Sequence, residues 1–208
     1  MEDSLLPIFG IQALINTTST SEDGILIIAG DLEEHKHCPQ CGGSHWHRSS
    51  KKTRILRLPS VGAAQAVVRV TMRRQSCLGC KHRWWPKIPF SRGKERMTLS
   101  FVQYALELLR FGTIQDVSKH LGVSWDVIKD IHKRHLKNKY AEVDIASVKY
   151  VGIDEFSIAK RHKYMTVILD ISTGRIIDAV EGRKRKEISP ILETLKKKHS
   201  VLKQLLWI

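Results

Sequence analysis

Cysteine occurs four times in 208 residues, and only as two CxxC pairs: Cys38-Pro-Gln-Cys41 and Cys77-Leu-Gly-Cys80. Each spacing forms a tight knuckle that aims two sulfurs at one point. Two knuckles complete a tetrahedral thiolate site, which suits zinc because that ion favours soft ligands and has no ligand-field preference. Four thiolates close the site, so the expected Zn2+ is structural; a catalytic zinc keeps an open position. The competing readings are a pair of redox dithiols or buried thiols, but neither pair has the βαβ surroundings of a thioredoxin-like motif. His37, His45, His47 and His82 lie nearby and are read as surface or phosphate-facing. Gly42-Gly43 and Gly79 stand where a positive φ is easily reached.

A second chemistry comes from cations. The chain has 35 Lys+Arg against 21 Asp+Glu, a formal charge of +14. The excess is uneven: residues 1–30 hold four acids and no Lys or Arg, whereas residues 69–96 hold nine basic residues and one acid, Glu95. Such a run can be a plain solvated face. Beside a cysteine pair and two tryptophans it points to a polyanion, first of all nucleic acid. Arg73, Arg74, Lys81, Arg83, Trp84 and Lys87 are the candidate contacts, with one of Trp84 and Trp85 expected to pack back onto the core.

These residues need supports. Val68, Val70 and Met72 alternate with Arg69, Thr71 and Arg73, a strand period, and Arg54–Leu58 is the expected partner strand. Two knuckles with a hairpin between them make a zinc ribbon. Pro86, Pro89 and Gly93 bar a helix from the basic exit segment, Lys81–Lys94. A helix starts near Thr98 or Ser100 and ends at Gly112. Gly122 then supplies the turn of a helix-turn-helix, with Val117, Leu121, Val123, Ile128 and Ile131 at the contact positions and Ser118 at the close approach. An ordinary helical hairpin has the same apolar spacing. As a reader of the major groove, the second helix offers Ser124, Trp125, Lys129 and Lys133. From Val148 three short strands form an antiparallel meander, followed by a helix from Lys186 to Lys198 with Pro190 in its first turn. Asp154 and Glu155 point to opposite faces of the first strand and cannot bind one metal together, and Asp170 is read as a turn former.

The order of these parts resembles bacterial insertion-sequence transposases of the ISL-three group. The resemblance rests on the two CxxC knuckles, the basic exit, the helix-turn-helix and an "IDE" strand leading into "YMTVILDISTGRIIDAVEGR". It implies a multi-domain α+β chain: an N-terminal β-rich segment over 1–34, a zinc ribbon over 35–92, a helix-turn-helix over 93–145, and the start of a ribonuclease-H-like DDE domain over 146–208. It implies that Cys38, Cys41, Cys77 and Cys80 hold zinc, that Asp154 is the first catalytic acid, and that the partner is duplex DNA at the element's terminal inverted repeats. It also implies a second aspartate on a fourth strand, a distant glutamate and Mg2+ for the complete catalytic domain. Two-metal phosphoryl transfer needs several carboxylates around one phosphate. Only 54 residues follow Asp154 and none supplies those acids, so the chain is expected to be a transposase's N-terminal part that does not cut DNA alone. It would then act as a homodimer, with a complementing polypeptide, or as a regulator that occupies element ends. The last 60 residues are expected to be poorly covered and sticky. No apolar run reaches a membrane span and no signal peptide opens the chain, which places it in the cytoplasm at the nucleoid.

Overall fold

A computed structural model describes residues 5–140, 148–159, 163–198 and 204–207. The chain divides into two compact units, residues 1–135 and 136–208.

The first unit is built on one sheet with the order β1-β2-β4-β3. Its centre is a long antiparallel hairpin, β3 (Trp46–Val61) and β4 (Ala64–Cys77), which joins the two cysteine knuckles. The alternation read from Val68 to Met72 holds: Ala66, Val68, Val70 and Met72 are buried and the residues between them are not. β1 (Leu14–Glu22) and β2 (Ile25–Leu32) form a second hairpin, and β2 runs parallel to β4. β1 and β2 thus extend the cysteine hairpin's own sheet, and Phe9 and Ile11, after a short helix α1 (Leu5–Ile8), seal its core with Leu56 and Leu58. β2 occupies β4 as far as Thr71, and β5 (Arg83–Trp84) takes the same edge at Gln75 and Ser76. After β5 the exit segment stays extended. Trp84, Pro86, Ile88 and Phe90 turn inward while Arg83, Trp85, Lys87 and Pro89 face out.

Helix α2 (Leu99–Leu108) starts at Thr98, whose hydroxyl accepts from the Phe101 N–H. It stops four residues before Gly112; the N–H groups of Gly112 and Phe111 both bond back to Leu108. Helix α3 (Ile114–Leu121) opens on a reciprocal capping box between Thr113 and Asp116. Gly122 ends it in the left-handed region at φ 60°, and helix α4 (Trp125–Lys139) follows. Phe101, Ala105, Val117, Leu121, Ile128 and Ile131 form one buried cluster, with Val123 against its rim. Ser118 is buried, as its close-approach position requires.

The second unit carries β6 (Tyr150–Ala159), β7 (Lys163–Asp170) and β8 (Arg175–Glu181) as the expected antiparallel meander. Helix α5 (Arg185–Lys198) begins earlier than Pro190 suggests, because the Glu187 carboxylate accepts the Lys184 N–H and fixes the first turn there. Pro190 falls in the second turn. A fourth strand, β9 (Gln204–Trp207), lies parallel to β6, giving the order β8-β7-β6-β9. This fourth strand carries no aspartate. Val151, Ile153, Ile168, Ile177 and Ile188 form the buried side.

Candidate metal and nucleic-acid sites

The hairpin brings all four sulfurs within 4.8 Å of one another. They pair across the knuckles, Cys38 with Cys80 and Cys41 with Cys77, each at 3.6 Å between Sγ atoms. A tetrahedral ion with bonds of about 2.3 Å separates its sulfurs by about 3.8 Å, so the donor set fits a metal ion. The Cys80 backbone N–H holds the Cys77 thiol down to about 7 against burial. The His82 backbone N–H favours the Cys80 thiolate, but desolvation and the three sulfurs around it outweigh that and push it up to about 12. Four thiolates this close repel unless a cation lies among them. Cys38 and Cys77 are buried, and Cys41 and Cys80 are exposed. Trp84 and Trp46 pack on the buried pair, and the His82 ring stacks on Trp84 at 5.9 Å. Trp84 is 8% exposed and supports the knuckle, so it is the one of the two tryptophans that packs back onto the core, with little surface left for a base. Trp85, its neighbour, is 36% exposed.

The two knuckles turn the same way. The residue after each second cysteine is left-handed: Gly42 at φ 73° and Lys81 at φ 62°. Gly79, expected to take that conformation, does not.

The remaining cations separate into different settings. Arg73 shares a groove with Arg48, Asp31 and Glu34, and the Arg48 guanidinium donates twice to Glu34, at 2.8 and 3.0 Å. Arg74, Lys81 and Arg83 share a groove at the second knuckle. Lys87 is exposed on the exit segment. Ser124, just before α4, and Trp125, Lys129 and Lys133 on it face outward while Ile128 and Ile131 face the core. The Lys129 ammonium sits 4.8 Å from the Trp125 ring centroid and 4.0 Å from an Asp126 oxygen.

Sequence reasoning missed the residues that join sheet and helices. Arg57 on β3 donates to the Leu121 carbonyl at 2.9 Å, where α3 has an orphan acceptor. The Arg57 carbonyl also accepts the Thr98 hydroxyl and N–H. Gly122 lies so close that a Cβ there would meet Gln65 at 3.1 Å and Arg57 at 3.3 Å. Arg134 on α4 pairs with Glu95, whose carbonyl accepts from Arg54. Nothing in the spacing of Arg57 marks it; an arginine in a strand reads as a solvated residue.

Asp154 is exposed on β6, and its carboxylate accepts the Glu155 N–H at 2.8 Å. Its cross-strand row is Val167 and then Ala179. Asp170 pairs with Val151, on the opposite face, and its carboxylate accepts from the Ser172 N–H and the Thr173 hydroxyl. It is a turn former, as its sequence position indicated. Among the described residues the four cysteines are the one group of three or more acidic, His or Cys side chains close enough to share a metal.

The family model for the helix-turn-helix domain of transposase family ISL3 matches residues 86–136, and that family's DDE transposase model matches residues 151–205. The chain carries the domains of an ISL3-family transposase. Among curated proteins it is similar to the transposase for insertion sequence element IS1001 of Bordetella parapertussis. They are 25% identical over 158 residues, which is 76% of this chain and 39% of that one. The transposase for element IS1557 of Mycobacterium tuberculosis is 24% identical over 109 residues, 52% of this chain and 24% of its own length. The chain thus spans well under half the length of these relatives. No solved structure matches it. The first match begins at Pro86, inside the exit segment, and covers α2, α3 and most of α4. The second begins at Val151 on β6 and includes Asp154.

Proposed function

We propose that this chain recognises the terminal inverted repeats of an insertion sequence, as the DNA-reading part of a transposition reaction in the cytoplasm. The observation that carries this is α4: a helix of the family's helix-turn-helix with its apolar side fixed in a core and Ser124, Trp125, Lys129 and Lys133 turned outward. That helix lies in the major groove, while the cations of the cysteine hairpin follow phosphates. Cys38, Cys41, Cys77 and Cys80 hold a structural zinc as a zinc ribbon. The meander with its helix and parallel strand is the opening of a ribonuclease-H-like domain, in which Asp154 is one of the acids that hold Mg2+ for strand transfer. The chain binds as a homodimer or beside a complementing transposase polypeptide.

A second reading is that the chain occupies element ends or operators without cutting. Asp154's surroundings favour it for the chain by itself, since Val167 stands beside it on β7 and Ala179 beyond that on β8, where two-metal chemistry needs further acids. One experiment tests both. Zinc-loaded protein is titrated onto a duplex bearing the element's end and onto a scrambled duplex, then supplied with Mg2+. A preference for the end with no nicking supports end occupancy, and nicking overturns it. Equal affinity for the two duplexes overturns end recognition itself.

A further inference from the structure

The grooves on either side of the hairpin sheet's knuckle end are both lined with arginine, yet only one is neutral. The groove holding Arg48 and Arg73 also holds Asp31 and Glu34, so its charges balance, and Arg48 is paired with Glu34. The other, about 350 Å³, is lined by Arg74, Lys81 and Arg83 with His47, Ser49 and Ser50, and no carboxylate is among its lining residues. Uncompensated cations crowded in one concave surface raise the local anion concentration.

Three further features show a built site. First, the groove is shaped by a β-bulge. Arg48 pairs with Gln75 and Lys51 with Arg73, so Ser49 and Ser50 together oppose Arg74. Bulges re-aim side chains, and here the Ser49 hydroxyl donates to the Arg74 carbonyl at 3.3 Å. Second, Arg74 Nε is enclosed without a hydrogen-bond partner among the described residues. The protein thus supplies no acceptor at that atom, and the Arg74 charge is not compensated there. Third, Lys81 carries its side chain at φ 62°, at the position where the first knuckle uses Gly42. A non-glycine there is strained. A lysine kept against that strain points to use of its ammonium.

We propose that this groove seats one backbone phosphodiester of duplex DNA, with Arg74, Lys81 and Arg83 as its cationic ligands and the bulge serines as neutral donors. The proposal rests on the reading of the chain as a duplex-DNA binder. Cys77 lines the same groove, and Lys81 and Arg83 follow Cys80 directly, so the metal knuckle sets the position of the phosphate ligands.

The test is the salt dependence of binding by the full, zinc-loaded chain, read by fluorescence anisotropy on an element-end duplex and a scrambled one. Lys81→Asn removes the charge and keeps a residue that tolerates the left-handed region. Lys81→Asn and Arg83→Gln should each weaken both duplexes alike and flatten the slope of log K against log salt by about 0.9. Arg83→Lys should restore the slope. Wild-type slopes in Lys81→Asn and Arg83→Gln overturn the phosphate site, as does a loss that Arg83→Lys fails to restore. Tighter binding to an RNA of the same sequence than to the duplex overturns the choice of DNA. If the unmutated chain binds neither duplex, the DNA reading itself fails, an outcome separate from failure of the groove.

Discussion

The cysteine hairpin and the helix-turn-helix both raise cations on a firm support, but the supports are made differently. In the helix-turn-helix every device is local in sequence: Thr98 and Thr113 cap helices, Gly122 turns the chain, and six buried residues within 31 positions make the core. The hairpin sheet assembles distant parts. Phe9 packs with Leu56, Ile88 and Phe90, and the knuckles that share sulfurs are 36 and 42 residues apart. Its knuckle end has a small separate cluster of Cys38, Cys77 and Trp84. The difference teaches that, among the described residues, this end alone offers ligands to a metal, while the sheet's main core and the three helices stand on apolar burial.

Metal loss breaks the comparison most sharply. Structural zinc supplies about 10–16 kcal/mol in small zinc-finger peptides, more than any other single group here. Cys77→Ala should abolish zinc binding and expose Trp84, seen as a red shift of tryptophan emission. Helical circular dichroism should persist, because α2 to α4 share no residue with that cluster. Retention of one zinc per chain by this variant would falsify the four-thiolate site. Coincident loss of helix and sheet would erase the distinction drawn between them.

Core truncation comes next. Ile128→Ala should cost about 2–5 kcal/mol, felt in the helices, and Leu56→Ala a similar amount, felt in the sheet. Thermal melts followed by helical and by tryptophan signals should then separate in opposite orders for the two variants. Identical orders would mean that the two cores melt as one.

The joint between them is smaller. Arg57→Ala removes the donor to the Leu121 carbonyl and a packing neighbour of Gly122, at about 1–3 kcal/mol. It should loosen the fixed spacing between hairpin and recognition helix. Insertion of a few base pairs between their contacts should then weaken the variant less than the parent. Equal sensitivity would show that Arg57 does not set the spacing.

This contrast also explains what the sequence made legible. The helix-turn-helix reads well because a glycine turn and apolar residues three and four apart are local signals. The hairpin was visible through Val68, Val70 and Met72, and the metal site through CxxC spacing. The parallel pairing of β2 with β4 was not, since nothing local in Ile25–Leu32 names its partner. That one of Trp84 and Trp85 packs inward was expected, but not which, because prolines hide the two-residue alternation that runs from Arg83 to Phe90. Lys81's backbone was missed because glycine alone advertises a left-handed position. In the second unit Asp154 is singled out by resemblance alone; a lone exposed aspartate on a strand carries no signal of its own.

The smallest expected effect is also the most local. The Thr113 hydroxyl accepts the Asp116 N–H at 3.2 Å and donates to the Asp116 carboxylate at 2.7 Å, which also accepts the Thr113 N–H. Thr113→Ala should destabilise the helices by about 1 kcal/mol. The hydroxyl of Thr113, then its backbone N–H, hold the Asp116 carboxyl below its ordinary 3.8. A carboxyl whose folded pKa is depressed adds stability that is complete above its unfolded value and is lost as pH falls through the folded one. The parent's melting temperature should therefore exceed that of Asp116→Asn at neutral pH. The gap should begin to close near pH 4 and vanish below the folded pKa, while the hairpin sheet, which lacks this box, shows no such difference between the two proteins. A gap that stays constant down to strong acid would mean that Asp116 acts by shape alone and that its charge contributes nothing to the cap.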